Sequence, residues 1–212
     1  ILKFFFFFLT CYGMATLAGP LVSTKFFNSI SHFTDWTIAH VHVGGLGWNG
    51  FLTFGMIYWL VPRLFGTRLY SRSLANVHFW IGTLGIVFYA VPLYFAGFTQ
   101  SLMWKQFTPD GYLVYKNFLD TVLQIKYAYW LRVLGGTLYL GGALVMVYNV
   151  LKTVAAGKLV ANEEAEAPAL EKEYDPQHDG GYWHRWIERR PIQMLVLSLV
   201  LVAIGGLIEL VP

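Results

Sequence analysis

His40 and His42 have the clearest capacity for chemistry in this chain, because they stand two positions apart at the start of a long apolar stretch. An ionisable residue inside a membrane-spanning helix is costly and is a functional candidate by default. At 3.6 residues per turn the two imidazoles lie about 200° apart, on nearly opposite sides of one helix. One helix can therefore offer a ligand to each of two neighbours, and two separate cofactors is the reading that best explains the spacing. Neutral imidazole binds iron, copper and zinc well. The apolar stretch holds no Cys, Asp or Glu to complete a compact ion site. A macrocycle needs only one or two axial ligands, so haem fits better than a bare ion. Gly44, Gly45, Gly47 and Trp48 also suit the face of a porphyrin. The competing reading makes both histidines hydrogen-bonded packing residues between helices.

Other polar residues carry weaker signals. Thr34 and Asp35 precede the stretch and are good helix N-cap residues. His32 lies at the same membrane surface, where it could bond a haem propionate or an associated cation such as calcium; a plain surface histidine is the competing reading. Arg132 sits about one turn inside a later apolar block that has no acidic residue, so its anion must come from elsewhere. A propionate and the lipid headgroups are the two candidates. His78 reads as a packing residue, Glu209 as an interfacial one and Cys11 as a small buried side chain.

These residues need spanning helices to position them. The 212 residues are 56% hydrophobic and only 13% charged, whereas soluble domains carry about 25% charged residues. The apolar residues gather into five blocks, Phe4 to Val22, Ile38 to Val61, Val77 to Phe98, Tyr127 to Leu151 and Ile192 to Val211. Each is close to the ~20 residues that cross a bilayer. Strand-like alternation is absent, so the class is an all-α integral membrane protein. Paired glycines such as Gly135-Gly136 would let helices approach closely. A single cysteine excludes an internal disulfide framework. The net charge of +3 sits at block edges, which argues against nucleic acid as a partner.

Basic residues in the loops set the orientation. Arg63, Arg68 and Arg72 follow the second block, and Lys152, Lys158, Lys172, Arg185, Arg189 and Arg190 lie between the fourth and fifth. Alternating spans put both segments on one side, expected to be the cytoplasm, and the last helix then exits outward. The stretch Ala155 to Asp179 is acidic and apolar-poor and reads as a mobile linker. Neither end of the chain looks like a natural terminus, so a fragment of a longer protein is expected.

The run from Ser31 to Trp48, with His32, His40, His42 and Gly44-Gly45, strongly resembles the tenth helix of haem-copper oxygen reductases. The resemblance is closest to the cbb3-type cytochrome c oxidases and the related nitric oxide reductases. Phe4 to Val22, with Tyr12-Gly13-Met14-Ala15-Thr16, looks like the ninth helix, Asn76 to Gly82 like the start of the eleventh, and Tyr127 to Leu151 like the twelfth. The loop Phe98 to Pro109 looks oxidase-like. His184 to Glu188 and Gly205 to Pro212 resemble the anchor helix of the mono-haem cytochrome c subunit. The implied organisation is a catalytic-subunit portion at 1–155, a cytoplasmic linker at 156–183 and an anchor at 184–212.

The resemblance implies that His40 is the proximal ligand of haem b3 and His42 an axial ligand of haem b, with His32 and Arg132 near propionates. It implies a terminal oxidase in a bacterial cytoplasmic membrane. That enzyme would take electrons from cytochrome c, reduce dioxygen to water and translocate protons. The remainder of the catalytic subunit, cytochrome c subunits and membrane lipid are the implied partners. The copper ligands and the haem c attachment would lie outside this sequence, and the 212 residues alone would be inactive. A nitric oxide reductase is the near alternative, and a non-catalytic helical membrane module the distant one. One departure is visible: Ala18-Gly19-Pro20 stands where the family usually has Glu-Gly-Pro. That Glu would bond the proximal histidine, so His40 is expected to rely on water or backbone instead, or the haem b3 potential to differ.

Overall fold

The computed structural model describes residues 1–160 and 190–209. Their order is α1 (Leu2–Ser23), the short α2 (Lys25–Ser31), α3 (Asp35–His42), a π-helical segment (Val43–Gly50), α4 (Phe51–Leu64), α5 (Arg72–Trp104), α6 (Phe118–Ala155) and α7 (Pro191–Glu209). Among the described residues the single β pairing is a Phe107–Leu113 bridge in the loop between α5 and α6. The chain divides into two units, Ile1–Asn162 and Glu163–Pro212. In the second unit α7 is an apolar helix, with Ser198 Oγ donating to the Met194 carbonyl (2.9 Å). Of the linker read at Ala155 to Asp179, and at 156–183 in the implied organisation, Ala155 closes α6 and residues 161 onward lie outside the described residues, as do the anchor-like His184 to Glu188, Leu210 to Pro212 and the Glu209 side chain.

Helix starts follow local chemistry. Thr24, Thr34, Ser71 and Asn117 cap α2, α3, α5 and α6, each side-chain oxygen accepting a backbone N–H of the first turn. For Thr34 this is the role its sequence position suggests.

α1, α5 and α6 are long and apolar enough to cross a membrane. The second expected block is a helical rod over residues 35–64, but it is not uniform. Val43 (φ −60°, ψ −42°) and Phe51 (φ −69°, ψ −34°) keep helical backbone at both junctions, while Val43–Gly50 between them winds as a π-helix. This segment, VGGLGWNG, is glycine-rich and so has little intrinsic preference for tight α-winding. Tyr139 of α6 donates its hydroxyl to the Leu46 carbonyl (3.0 Å) within it. Short π-helical insertions recur at functional sites, and this one begins directly after His42.

Small residues set the closest contact. A Cβ on Gly85 of α5 would lie 2.9 Å from the Gly135 carbonyl oxygen of α6, and one on Gly135 would lie 2.7 Å from that of Gly85. The two backbones therefore touch, as the paired-glycine reading of Gly135 anticipates. Phe4, Phe51, Tyr58 and Phe79 form an aromatic core nearer one end, and Ala96, Ile125 and Ala128 pack nearer the other.

The arginine-rich loops of the first unit gather at one end of the rods. Lys3 donates to Asn76 Oδ1 (2.9 Å), Asn149 bonds the backbone of Ser71, and the Lys158 N–H donates to the Phe65 carbonyl, gathering the basic loops at one end. Asp35 and Asp120 open helices at the other.

Candidate functional site

α3 begins at the end opposite the arginine-rich loops, where several elements hold its first turn. The Asp35 N–H donates to Gln100 Oε1 (2.7 Å), and Asp35 Oδ2 accepts from Gln100 Nε2 (2.8 Å) and from the Tyr129 hydroxyl (2.8 Å). One carboxylate thus ties α3 to α5 and α6. Gly97 of α5 makes this fit possible, because a Cβ there would collide with the backbone of Trp36. Charge-assisted hydrogen bonds of this kind are stronger than neutral ones. They fix the depth and rotation of the helix that carries both histidines.

His42 faces α5. Its Nδ1 lies 2.7 Å from the Ile38 carbonyl oxygen. A carbonyl can only accept, so Nδ1 carries the proton and Nε2 keeps its lone pair. That is the tautomer a metal-ligating histidine needs. Nε2 accepts from the Tyr89 hydroxyl (3.1 Å), and the two rings lie 4.6 Å apart. Gly45 stands on the exposed side of the π-helical segment with Val41 and Asn49, and has nothing within 4 Å of where a Cβ would be.

His40 sits differently. Its ring stacks on Trp36, with centroids 5.7 Å apart and planes 13° from parallel. It shares a row with Gly44, which faces Ala15 of α1, while Gly47 faces Cys11. Carried one turn further, the antiparallel register of Cys11–Gly47 and Ala15–Gly44 leads toward Ala18 on α1 and the turn of α3 that holds His40. His40 Nδ1 is buried without a hydrogen-bond partner. The expected backbone support is thus not present among the described residues, and an alanine on the neighbouring α1 row supplies no acceptor. The two histidines do face different neighbours, as the two-residue spacing requires.

The weaker candidates do not join them. His32 is exposed, at the end of α2, and packs edge-on against Phe33 (4.0 Å between centroids). Arg132 is half-buried with its guanidinium 5.3 Å from the Tyr129 ring centroid, one residue removed from Asp35 through the tyrosine. Among the described residues no cluster of three or more His, Cys, Asp or Glu could hold a metal ion. His78 is fully buried, with Tyr58 Oη 3.1 Å from its Nδ1, in keeping with a packing role.

Sequence reading missed Tyr89, Gln100 and Tyr129. They lie 47, 65 and 94 positions from their partners. The one available signal was a polar Gln100 near the end of an apolar block.

Residues 1–138 match the sequence profile described as "Cytochrome C and Quinol oxidase polypeptide I". A cytochrome c oxidase subunit 1 homolog of Agrobacterium tumefaciens is 54% identical over 68% of this chain and 26% of its own length. A cbb3-type cytochrome c oxidase subunit CcoN1 of Stutzerimonas stutzeri is 42% identical over 74% of the chain and 33% of its own length. A nitric oxide reductase subunit of the same organism is 28% identical over 58% of the chain and 26% of its own length. The chain therefore spans between about a quarter and a third of the length of the relatives it matches. The family binds haem and copper and is made of integral membrane helices. With residues 1–138 matched, the chain belongs to the cytochrome c and quinol oxidase polypeptide I family, the haem-copper oxidase subunit I proteins.

Proposed function

We propose that this chain is part of the catalytic subunit of a cbb3-type terminal oxidase, in which His40 is the proximal ligand of haem b3 and His42 an axial ligand of haem b. The observation that carries the reading is the His42 tautomer: Nδ1–H is committed to Ile38, so Nε2 keeps the lone pair that would ligate. Histidine ligands commonly have their second nitrogen fixed in this way. When bound, the haems supply one-electron carriers between cytochrome c and the site where dioxygen is reduced to water. The chain's own residues do the rest. One helix holds both ligands two residues apart, so the two cofactor sites share a rigid spacing. Asp35, clamped by Gln100 and Tyr129, sets that helix against α5 and α6. Arg132 and His32 stand at the end opposite the arginine-rich loops and are the candidates for propionate contact, with an associated calcium as a further candidate there.

The reading includes residues beyond this sequence. Copper ligands would come from elsewhere in the catalytic subunit, and proton translocation needs that subunit complete. Residues 184–212 are read as the anchor of a mono-haem cytochrome c subunit joined through a linker at 156–183, with haem c following it. The end with the arginine-rich loops faces the cytoplasm of a bacterial cell and the opposite end faces outward. An oxidase is favoured over a nitric oxide reductase by the higher identity to the oxidase subunits, 54% and 42% against 28%.

The test is ligand removal in the assembled oxidase. His42→Ala should abolish the low-spin haem b spectrum and leave the high-spin haem, and His40→Ala the reverse. Pyridine haemochrome content should fall by about one haem b in each. Unchanged spectra in both variants would overturn the assignment.

A further inference from the structure

The π-helical segment Val43–Gly50 is continuous with the turn that carries His42. His42 is its N-cap, so the His42 carbonyl opens the π ladder. A π-helix closes i→i+5 bonds where an α-helix closes i→i+4. One residue of difference in winding re-aims whatever follows by about 100°. The rod is held on both sides of the segment. Asp35 is clamped by Gln100 and Tyr129, and Phe51 is fully buried in the aromatic core. A change of winding between two fixed ends falls on the residues between them, and the His42 turn adjoins the segment directly.

The glycine-rich sequence of the segment does not itself select a winding, so a bond from outside can decide it. Tyr139 of α6 makes that bond, its hydroxyl donating to the Leu46 carbonyl (3.0 Å). The same hydroxyl occupies the notch left by Gly50, because a Cβ there would collide with it. Tyr139 is held in turn. A Cβ on Gly85 of α5 would lie 2.8 Å from the Tyr139 backbone nitrogen and 3.1 Å from its Cα, so α5 backs onto the tyrosine main chain. Its ring packs on Phe51 and Phe54, with centroids 6.3 Å and 5.8 Å away. Among the described residues the other side chain that bonds the backbone of the segment belongs to it: Asn49 Nδ2 donates to the Gly44 carbonyl (3.5 Å).

We propose that Tyr139 is a positioning residue for haem ligation: its hydroxyl, seated in the Gly50 notch on the Leu46 carbonyl, fixes the π winding and with it the direction in which His42 presents its imidazole. This rests on the reading of His42 as an axial ligand of haem b. The test uses the assembled oxidase. Tyr139→Phe removes the hydroxyl and keeps the ring, so haem b content by pyridine haemochrome should stay at the wild-type level. The electron paramagnetic resonance signal of low-spin haem b reports the orientation of its axial imidazole. Its gz value should move by more than the spread between wild-type preparations, and the haem b midpoint potential should move with it. Gly50→Ala fills the notch and should move the same two readouts. Tyr58→Phe removes a hydroxyl from the aromatic core that bonds His78 and not the segment. It should lower the melting temperature and leave both readouts in place. Unmoved readouts in Tyr139→Phe, an equal shift in Tyr58→Phe, or loss of haem b in place of a shift overturns the proposal. His42→Ala separates this proposal from the reading beneath it. If that variant loses the low-spin signal while Tyr139→Phe leaves it unmoved, the ligand assignment stands and the role of Tyr139 falls. If His42→Ala keeps the signal, both fall.

Discussion

His42 and Tyr89 meet across α3 and α5, the tyrosine hydroxyl donating to Nε2 over 3.1 Å. The hydroxyl therefore stands at the nitrogen that would take a metal, while the other nitrogen is held by Ile38 from within the same helix. Tautomer selection depends on Ile38 and not on Tyr89. Tyr89→Phe in the assembled oxidase should accordingly retain haem b at wild-type content by pyridine haemochrome. Loss of haem b would place Tyr89 among the residues that support the ligand.

Asp35 is the junction of three elements, so its donors should act together. Removing one hydrogen bond to a charged group costs about 1.5–3 kcal/mol. Tyr129→Phe and Gln100→Leu should each lower thermal stability of the haem-loaded complex by that order. The double variant should depart from additivity, because both donors meet the same Oδ2 atom. Thermal melts followed by haem absorbance check this.

Gly135 has no room for a side chain, since even a Cβ would lie 2.6 Å from the Tyr89 backbone nitrogen. Gly135→Leu should destabilise by more than the ~1–3 kcal/mol typical of overpacking, because backbone must move and not only a rotamer. Its neighbour Gly136 has only Tyr89 ring atoms at 4.0 Å. Gly136→Ala should assemble normally. Membrane yield of haem-loaded enzyme separates the two.

The register of α1 against the rod leads from Ala15 toward Ala18 near the His40 turn, and His40 Nδ1 lacks an acceptor. Ala18→Glu should supply one. A hydrogen-bonded imidazole is a stronger donor to iron, so, if His40 is the proximal ligand as proposed, the midpoint potential of that haem should fall. Redox titration reads the shift, and a haem b potential that stays fixed in the same titration confirms that the effect is local.

Tyr58 Oη lies 3.1 Å from His78 Nδ1 in the aromatic core, and His78 Nε2 is buried without a partner. Tyr58→Phe would leave both ring nitrogens unsatisfied. The loss should be about 1–3 kcal/mol, measured as a fall in the melting temperature of the complex with no change in haem content.

The sequence by itself determined the all-helical class, the N-caps such as Thr34 and the pair of histidines; of its five expected spans, α1, α5 and α6 are long and apolar enough to cross a membrane. Each of these is a local property: apolar run length, a side chain bonding its own first turn, and angular spacing along one rod. It also placed Gly135 at a contact, because small residues in an apolar helix have little other use. The π-helical winding of Val43–Gly50 was not legible as such, since glycine permits it without requiring it and Tyr139 on α6 supplies a partner. The clamp of Asp35 by Gln100 and Tyr129, the tyrosine beside His42 and the unpartnered nitrogen of His40 were decided only by tertiary structure. They arise where helices distant in sequence are brought side by side, and no periodicity along one helix reports which polar residue its neighbour presents.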